Sequence, residues 1–180
     1  MPRTNMSITE LTRRSGVVNR EGDVMIENIF VSTDQSGEQI ACESVELKAH
    51  KGIVGDRYFG KMRHPGQNLT LVEAEEIEAF CAQTGRALDK TLTRRNIVTR
   101  GVRLNELVGR EFRIGNAVLR GVELCEPCSK LAGSLATESL SAKDVVERWL
   151  HRAGLRADIV ESGVIAIGNP IQTNNTKAAE

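Results

Sequence analysis

The sequence predicts a mainly β fold of the α+β class, a barrel or sandwich with flanking helices. Three observations predict it. About seven or eight short apolar runs recur along the chain, glycine-bearing pairs suited to tight turns separate some of them, and only two stretches carry helical periodicity. The first strand spans 23–31, with Val24, Met25, Ile26, Ile29, Phe30 and Val31 between Gly22 and Ser32-Thr33-Asp34. Short strands follow over 44–47, where apolar and polar residues alternate, and over 69–72 and 97–99. Runs 111–114 and 117–124 flank Gly115-Asn116, a pair that tolerates the positive φ of a hairpin turn. Runs 157–161 and 164–167 flank Ser162-Gly163 and suggest a second hairpin.

Two helices interrupt the strands. The first spans 73–84, with Ile77, Phe80 and Cys81 on one face and Gly85 placed to end it. The second spans 142–151. Ser141 and Asp144 suit its first turn, Val145, Val146, Trp149 and Leu150 form its stripe, and Gly154 lies beyond its end. Both are expected to cover open parts of the sheet. The 180 residues read as one domain, 1–180, with a core over about 22–169 and loose polar ends at 1–16 and 173–180.

Composition narrows the function classes. Lys plus Arg and Asp plus Glu each number 24, so no global field draws in nucleic acid or an anionic membrane. No apolar run reaches membrane-spanning length, and residues 1–15 lack the apolar core of a signal peptide. The expectation is a soluble cytoplasmic protein whose thiols stay reduced outside a catalytic cycle.

The stretch Leu124-Cys125-Glu126-Pro127-Cys128-Ser129-Lys130 holds two of the four cysteines. A zinc half-site needs two more ligands at comparable spacing, and Cys42, Cys81, His50, His64 and His151 are scattered. A thioredoxin-type pair opens a helix in a parallel unit, whereas this pair follows a hairpin strand. A structural pair and a soft ligand or nucleophile both remain open from the pattern. Pro127 ends the strand and presents Cys128 at a loop, while Cys125 finishes the strand. Lys130 could support a thiolate there.

Two further segments carry charge. Gly52 to Gly60 holds Gly55-Asp56-Arg57 among glycines, with Lys51, Arg63, His50 and His64 nearby. It is either a ligand-approaching loop or a plain connection with an internal Asp56–Arg57 contact. In 91–97, Arg94 and Arg95 can grip a phosphate, and Asn96 can donate and accept at a heterocycle edge. A solvated loop explains the same residues. Glu73, Glu75, Glu76 and Glu78 are assigned to the solvent side or first turn of the first helix.

Taken in order, Gly55-Asp56-Arg57, Leu69 to Glu73, Arg95-Asn96-Ile97 with Gly101, Leu107-Val108-Gly109, Ile114-Gly115, Pro127-Cys128, and Gly154 to Ala157 with Gly163 to Gly168 resemble the MOSC domain, the molybdenum-cofactor sulfurase C-terminal type. The likeness runs from about residue 22 to residue 169. It implies a closed β-barrel of the MOSC or pyruvate-kinase-barrel-like type with flanking helices. It also implies that Cys128 is the thiol that carries persulfide sulfur or ligates molybdenum of the molybdopterin cofactor. Arg95 and Asn96, with Arg94, then resemble the cofactor-holding segment. Asp56 and Arg57 shape the pocket, and Cys125 lies beside the working thiol. Glu126 departs from the common pattern and would raise the thiol pKa if turned inward.

Three functions follow as expectations. One is a molybdenum-dependent reductase of N-hydroxylated or related small molecules. It would need an electron-donor protein, since the chain lacks an iron–sulfur cysteine set. The second is a sulfur carrier loaded by a cysteine desulfurase. The third is a non-catalytic cofactor-binding module.

Overall fold

The computed structural model describes residues 24–34 and 36–173. The expected loose ends, 1–16 and most of 173–180, lie outside the described residues, as does Asp23 of the first expected strand.

Among the described residues, eleven strands form two sheets. They are β1 (Met25–Val31), β2 (Ile40–Cys42), β3 (Ser44–Lys48), β4 (Gly52–Ile53), β5 (Thr70–Glu73), β6 (Ile97–Arg100), β7 (Glu111–Ile114), β8 (Ala117–Leu124), β9 (Leu155–Glu161), β10 (Gly163–Ala166) and β11 (Ile171–Thr173). The larger sheet runs β11-β7-β8-β9-β5-β6-β1-β2, and the smaller runs β10-β3-β4. The helices are α1 (Ala74–Thr84), α2 (Ser129–Leu135) and α3 (Ala142–Trp149).

The expected closed barrel is not formed: both sheets are open. The large sheet ends on β11 at one side and β2 at the other. Where β1 comes near the start of β11, a single bridge joins Met25 and Pro170. Proline has no N–H with which to extend a ladder. β10 leaves the large sheet altogether and pairs with β3. The hairpin expected at Ser162-Gly163 is therefore a crossing between sheets. A Cβ at Gly163 would stand 2.6 Å from the Ala117 nitrogen, so the strand change passes hard against the β7–β8 turn. That turn is the expected hairpin, with Ile114 opposite Ala117 and Gly115 at φ 53°.

Alternation along the strands builds two cores. Ile29, Leu71 and Ile97 face the layer between the two sheets, where they join Leu47, Ile53 and Ile165 from the small sheet side. Their neighbours Phe30, Val72 and Val98 face the opposite way and pack on the helices. There Phe80 of α1 meets Trp149 of α3 edge-on, with centroids 5.4 Å apart.

The helix ends follow the local chemistry. Gly85 closes α1 in the left-handed region, at φ 66°. Ser141 and Asp144 exchange hydrogen bonds in a capping box at the start of α3. Glu73 stands at the N-cap of α1, the first-turn place expected for it, but not on the solvent side. It is buried, accepts from Leu104 N at 2.8 Å and pairs with Arg103 at 3.0 Å. Burial raises its carboxyl above the ordinary range, against the pull of Leu104 N–H and Arg103. Cys42, expected in a loop, ends β2 half-buried on the inter-sheet core. Cys81 is half-buried on the helix-side core. α2 was not expected: its seven residues include Gly133 and are too short to show a helical period.

Candidate functional site: a cationic cleft with a thiol

The path from β8 to α2 sets the two thiols apart. Cys125 leaves β8 with its N–H donating to Gly154 O at 2.7 Å, and its side chain is buried. Pro127 cannot donate, and the next residue, Cys128, caps α2, its carbonyl accepting from Ala132 N at 2.9 Å. Cys128 is exposed. Burial acts to raise its thiol pKa. The N–H groups of Leu131 and Lys130 and the charge of Arg95 outweigh burial, and the net shift is downward. Burial raises the Cys125 thiol, only partly offset by Arg95 and Arg156. Glu126 does not turn toward the thiol. Its carboxylate accepts from His151 N at 2.9 Å and meets His151 Nδ1 at 2.7 Å, on the α3 side.

Arg95 lies beneath the thiols, only 6% exposed. Its Nε donates to Ala153 O at 2.8 Å and its Nη2 to Cys125 O at 3.1 Å. Burial lowers its pKa, while the two cysteines act to raise it. No carboxylate pairs with it among the described residues. Gly154, the residue after Ala153, sits at φ 112°, and a Cβ there would fall 1.9 Å from Leu71 O, so the segment passes β5 only as glycine.

Arg94 takes the opposite course. It closes the 3-10 turn Lys90–Thr93 in the left-handed region, at φ 58°. That backbone turn sends successive arginines in different directions, one inward and one along the surface. Its guanidinium rests where a side chain on Gly37 would be, with Nη2 2.2 Å from the ideal Cβ position.

Asp56 is buried and serves the backbone. It accepts from Ser32 N at 3.0 Å and Tyr58 N at 2.9 Å. The bland alternative, an internal Asp56–Arg57 contact, is not the arrangement. Arg57 donates from Nη1 to Asp34 O at 3.3 Å and lies over the Tyr58 ring at 4.8 Å. Its buried Nε has no partner. Asn96 spends its amide within the protein: Oδ1 accepts from Thr70 N and Oγ1, and Nδ2 donates to Phe30 O and Asp56. It braces the cleft wall instead of offering a free edge.

All seven residues singled out from the sequence, Asp56, Arg57, Arg94, Arg95, Asn96, Cys125 and Cys128, line one open cleft of about 320 Å³. Lys130 and His64 join them, whereas His50, Lys51 and Arg63 do not. Residues not assigned to a site from the sequence include Gln39, Tyr58, Gln67 and Arg156. Arg156 carried one usable signal, its place between Leu155 and Ala157 on an alternating strand, which turns it off the core. Five cationic side chains (Arg57, Arg94, Arg95, Lys130 and Arg156) face one carboxylate, Asp56, across the lining. Among the described residues no three His, Cys, Asp or Glu side chains gather to hold a metal ion. A metal here would have to arrive with most of its ligands already bound.

Fold and cleft define a β-rich domain that holds a lone exposed thiol above a buried arginine. Residues 55–172 match the MOSC domain, and the chain belongs to that family. The fold is shared with solved structures of low identity. The YuaD protein of Bacillus subtilis superposes with a TM-score of 0.72 at 17% identity, covering 82% of this chain and 93% of its own. YiiM of Geobacillus stearothermophilus gives 0.64 at 18%, covering 83% and 74%. YiiM of Escherichia coli gives 0.62 at 15%, covering 84% and 69%. No curated protein matches the chain. No helix among the described residues is long and apolar enough to cross a membrane.

Proposed function

We propose that the cleft binds molybdenum cofactor, with the Cys128 thiolate as the protein ligand to the metal, and serves reduction of N-hydroxylated or related small molecules. Family membership is consistent with a molybdenum-cofactor-associated role. The observation that carries the finer reading is Arg95, a buried guanidinium with no carboxylate partner among the described residues, bonded to the Cys125 carbonyl in the cleft that Cys128 lines. An uncompensated buried cation is costly and calls for an anion from outside the chain.

The residues present fit the group. A polarisable thiolate suits a metal already held by sulfur, and one protein ligand is enough for such a metal. The orphaned Nε of Arg57 and the cations Arg94, Lys130 and Arg156 suit a phosphate. When bound, molybdenum would supply oxygen-atom transfer. The protein's own part is to favour the Cys128 thiolate through the N–H groups of Leu131 and Lys130 and the charge of Arg95. Asp56 and Asn96 hold the loops that carry Arg57 and Arg95. Net reduction of an N-hydroxyl group to N–H and water would take two electrons and two protons, which a separate electron-donor protein would supply. Protein freshly purified from cells competent for the cofactor should contain molybdenum and pterin in near-stoichiometric amounts. Their absence would refute the reading.

The exposure and lowered pKa of Cys128 also support a second reading, a persulfide carrier loaded by a cysteine desulfurase. Intact mass after incubation with a desulfurase and cysteine would reveal it, as a sulfur adduct lost in Cys128→Ser.

A further inference from the structure

Of the four cysteines, Cys125 and Cys128 alone line the cleft. We propose that Cys125 is the resolving thiol of Cys128: a hydroperoxide entering the cleft oxidises the Cys128 sulfur, and Cys125 closes on it as an intramolecular disulfide that a dithiol reopens. The inference goes beyond the function proposed above. It concerns the chain before cofactor or sulfane sulfur occupies Cys128.

Access separates the two roles. Cys128 is exposed, whereas Cys125 is 2% exposed, so an oxidant from solvent meets Cys128 first. Cys42 packs on the inter-sheet core and Cys81 on the helix-side core, and neither lines the cleft. Both cleft thiols act on the charge of Arg95, and Cys128 acts on Cys125 directly, which puts their sulfurs in one neighbourhood. Cys125 is the fixed partner. Its N–H is bonded to Gly154 O at 2.7 Å, and its carbonyl accepts from Arg95 Nη2 at 3.1 Å. The link between the thiols is less constrained. Among the described residues Glu126 and Pro127 make no main-chain hydrogen bond, and the Glu126 carboxylate on His151 is the one polar tie. A disulfide needs Cα atoms roughly 4.4–6.8 Å apart. This link can bend to that span without breaking a main-chain bond.

The chemistry has two steps. The Cys128 thiolate attacks a peroxide oxygen: an S–O bond forms, the O–O bond breaks, and the departing oxygen takes a proton from solvent. The Cys125 sulfur then attacks the sulfenic sulfur: an S–S bond forms, the S–O bond breaks, and the leaving hydroxide takes the Cys125 proton as water. Two electrons pass from the sulfur pair to the peroxide, and a dithiol returns them. Capture at this stage keeps Cys128 from the sulfinic acid, which a dithiol does not reverse.

The test is peptide mapping of the full-length chain made in cells that lack the cofactor. Reduced, desalted protein is exposed to a graded series of hydrogen peroxide, blocked with iodoacetamide in urea and digested with trypsin. Cleavage after Arg120 and Lys130 leaves both cysteines in the peptide 121–130. That peptide should appear unalkylated and lighter by two hydrogens than its reduced form. Dithiothreitol before blocking should restore its double alkylation. Cys125→Ser should lose the bridge and carry Cys128 on to the sulfinic acid at the same dose. Cys42→Ser and Cys81→Ser should leave the bridge unchanged. The wild-type result needs no variant, so it stands even where Cys125→Ser does not fold. A wild-type peptide that keeps two free thiols across the series, or gains oxygen at Cys128 in place of losing two hydrogens, would overturn the inference. A bridge to Cys42, to Cys81 or to a second chain would overturn it too. None of these results bears on molybdenum binding, which metal analysis reads separately.

Discussion

The guanidinium of Arg95 donates to the main-chain carbonyl of Cys125 at 3.1 Å and so fastens a buried cation to the strand end that carries the thiols. The charge, the bend at Pro127 and the exposed sulfur of Cys128 belong to one unit. Its stability and its chemistry should respond to the same substitutions.

Arg95→Met keeps the volume of the side chain and deletes two donated hydrogen bonds. The carbonyls of Ala153 and Cys125 are then left buried without their donor. The expected cost is about 1–3 kcal/mol in urea unfolding. Phosphate affinity should fall by roughly tenfold or more in the same protein. Unchanged phosphate binding would show that the buried charge does not serve the cleft.

The two thiols should differ in pH dependence. A thiolate alkylates and a thiol does not. The Cys128 pKa is lowered, so its alkylation rate should reach half-maximum at a lower pH than that of free cysteine. The Cys125 pKa is raised by burial, so its rate should stay low through that range and rise only at higher pH. Arg95→Met removes a nearby positive charge and should move the Cys128 profile upward. Peptide mapping by mass spectrometry after timed iodoacetamide exposure reads both profiles. Faster labelling of Cys125 would contradict the assignment.

Asp56 holds two main-chain N–H groups at the cleft wall, those of Ser32 and Tyr58. Asp56→Ala should cost about 1–3 kcal/mol for each group left without a partner in the interior. Asp56→Asn can accept one bond through its remaining oxygen and should lose less. Thermal unfolding of the pair gives the order. If alanine and asparagine are equivalent, the carboxylate is not organising the loop that carries Arg57.

Local features of the fold were legible in the sequence because local chemistry causes them. Gly115-Asn116 makes a hairpin, Gly85 ends α1, and Ser141 with Asp144 opens α3. Each depends on residues within a few positions. The lining of the candidate cleft was legible for a related reason: a thiol after a proline, paired arginines and an Asp-Arg loop are uncommon ingredients of an aliphatic core.

What stayed hidden depends on pairing across the chain. Whether β10 continues beside β9 or crosses to β3 turns on contacts between Gly163 and the distant β7–β8 turn. No local pattern encodes that choice, and the expected closed barrel failed for the same reason. Gln39 enters the cleft from a loop 56 residues from its partner Arg95. The partners that hold the Asn96 amide, Thr70 and Phe30, likewise come from distant strands, β5 and β1.

The central claim is that the sulfur of Cys128 is the protein's bond to the metal. X-ray absorption at the molybdenum edge, on protein loaded in cofactor-competent cells, tests it most directly. Wild-type protein should show one more sulfur neighbour around molybdenum than Cys128→Ser, with Cys125→Ser unchanged from wild type. An identical sulfur shell in wild type and Cys128→Ser would contradict it.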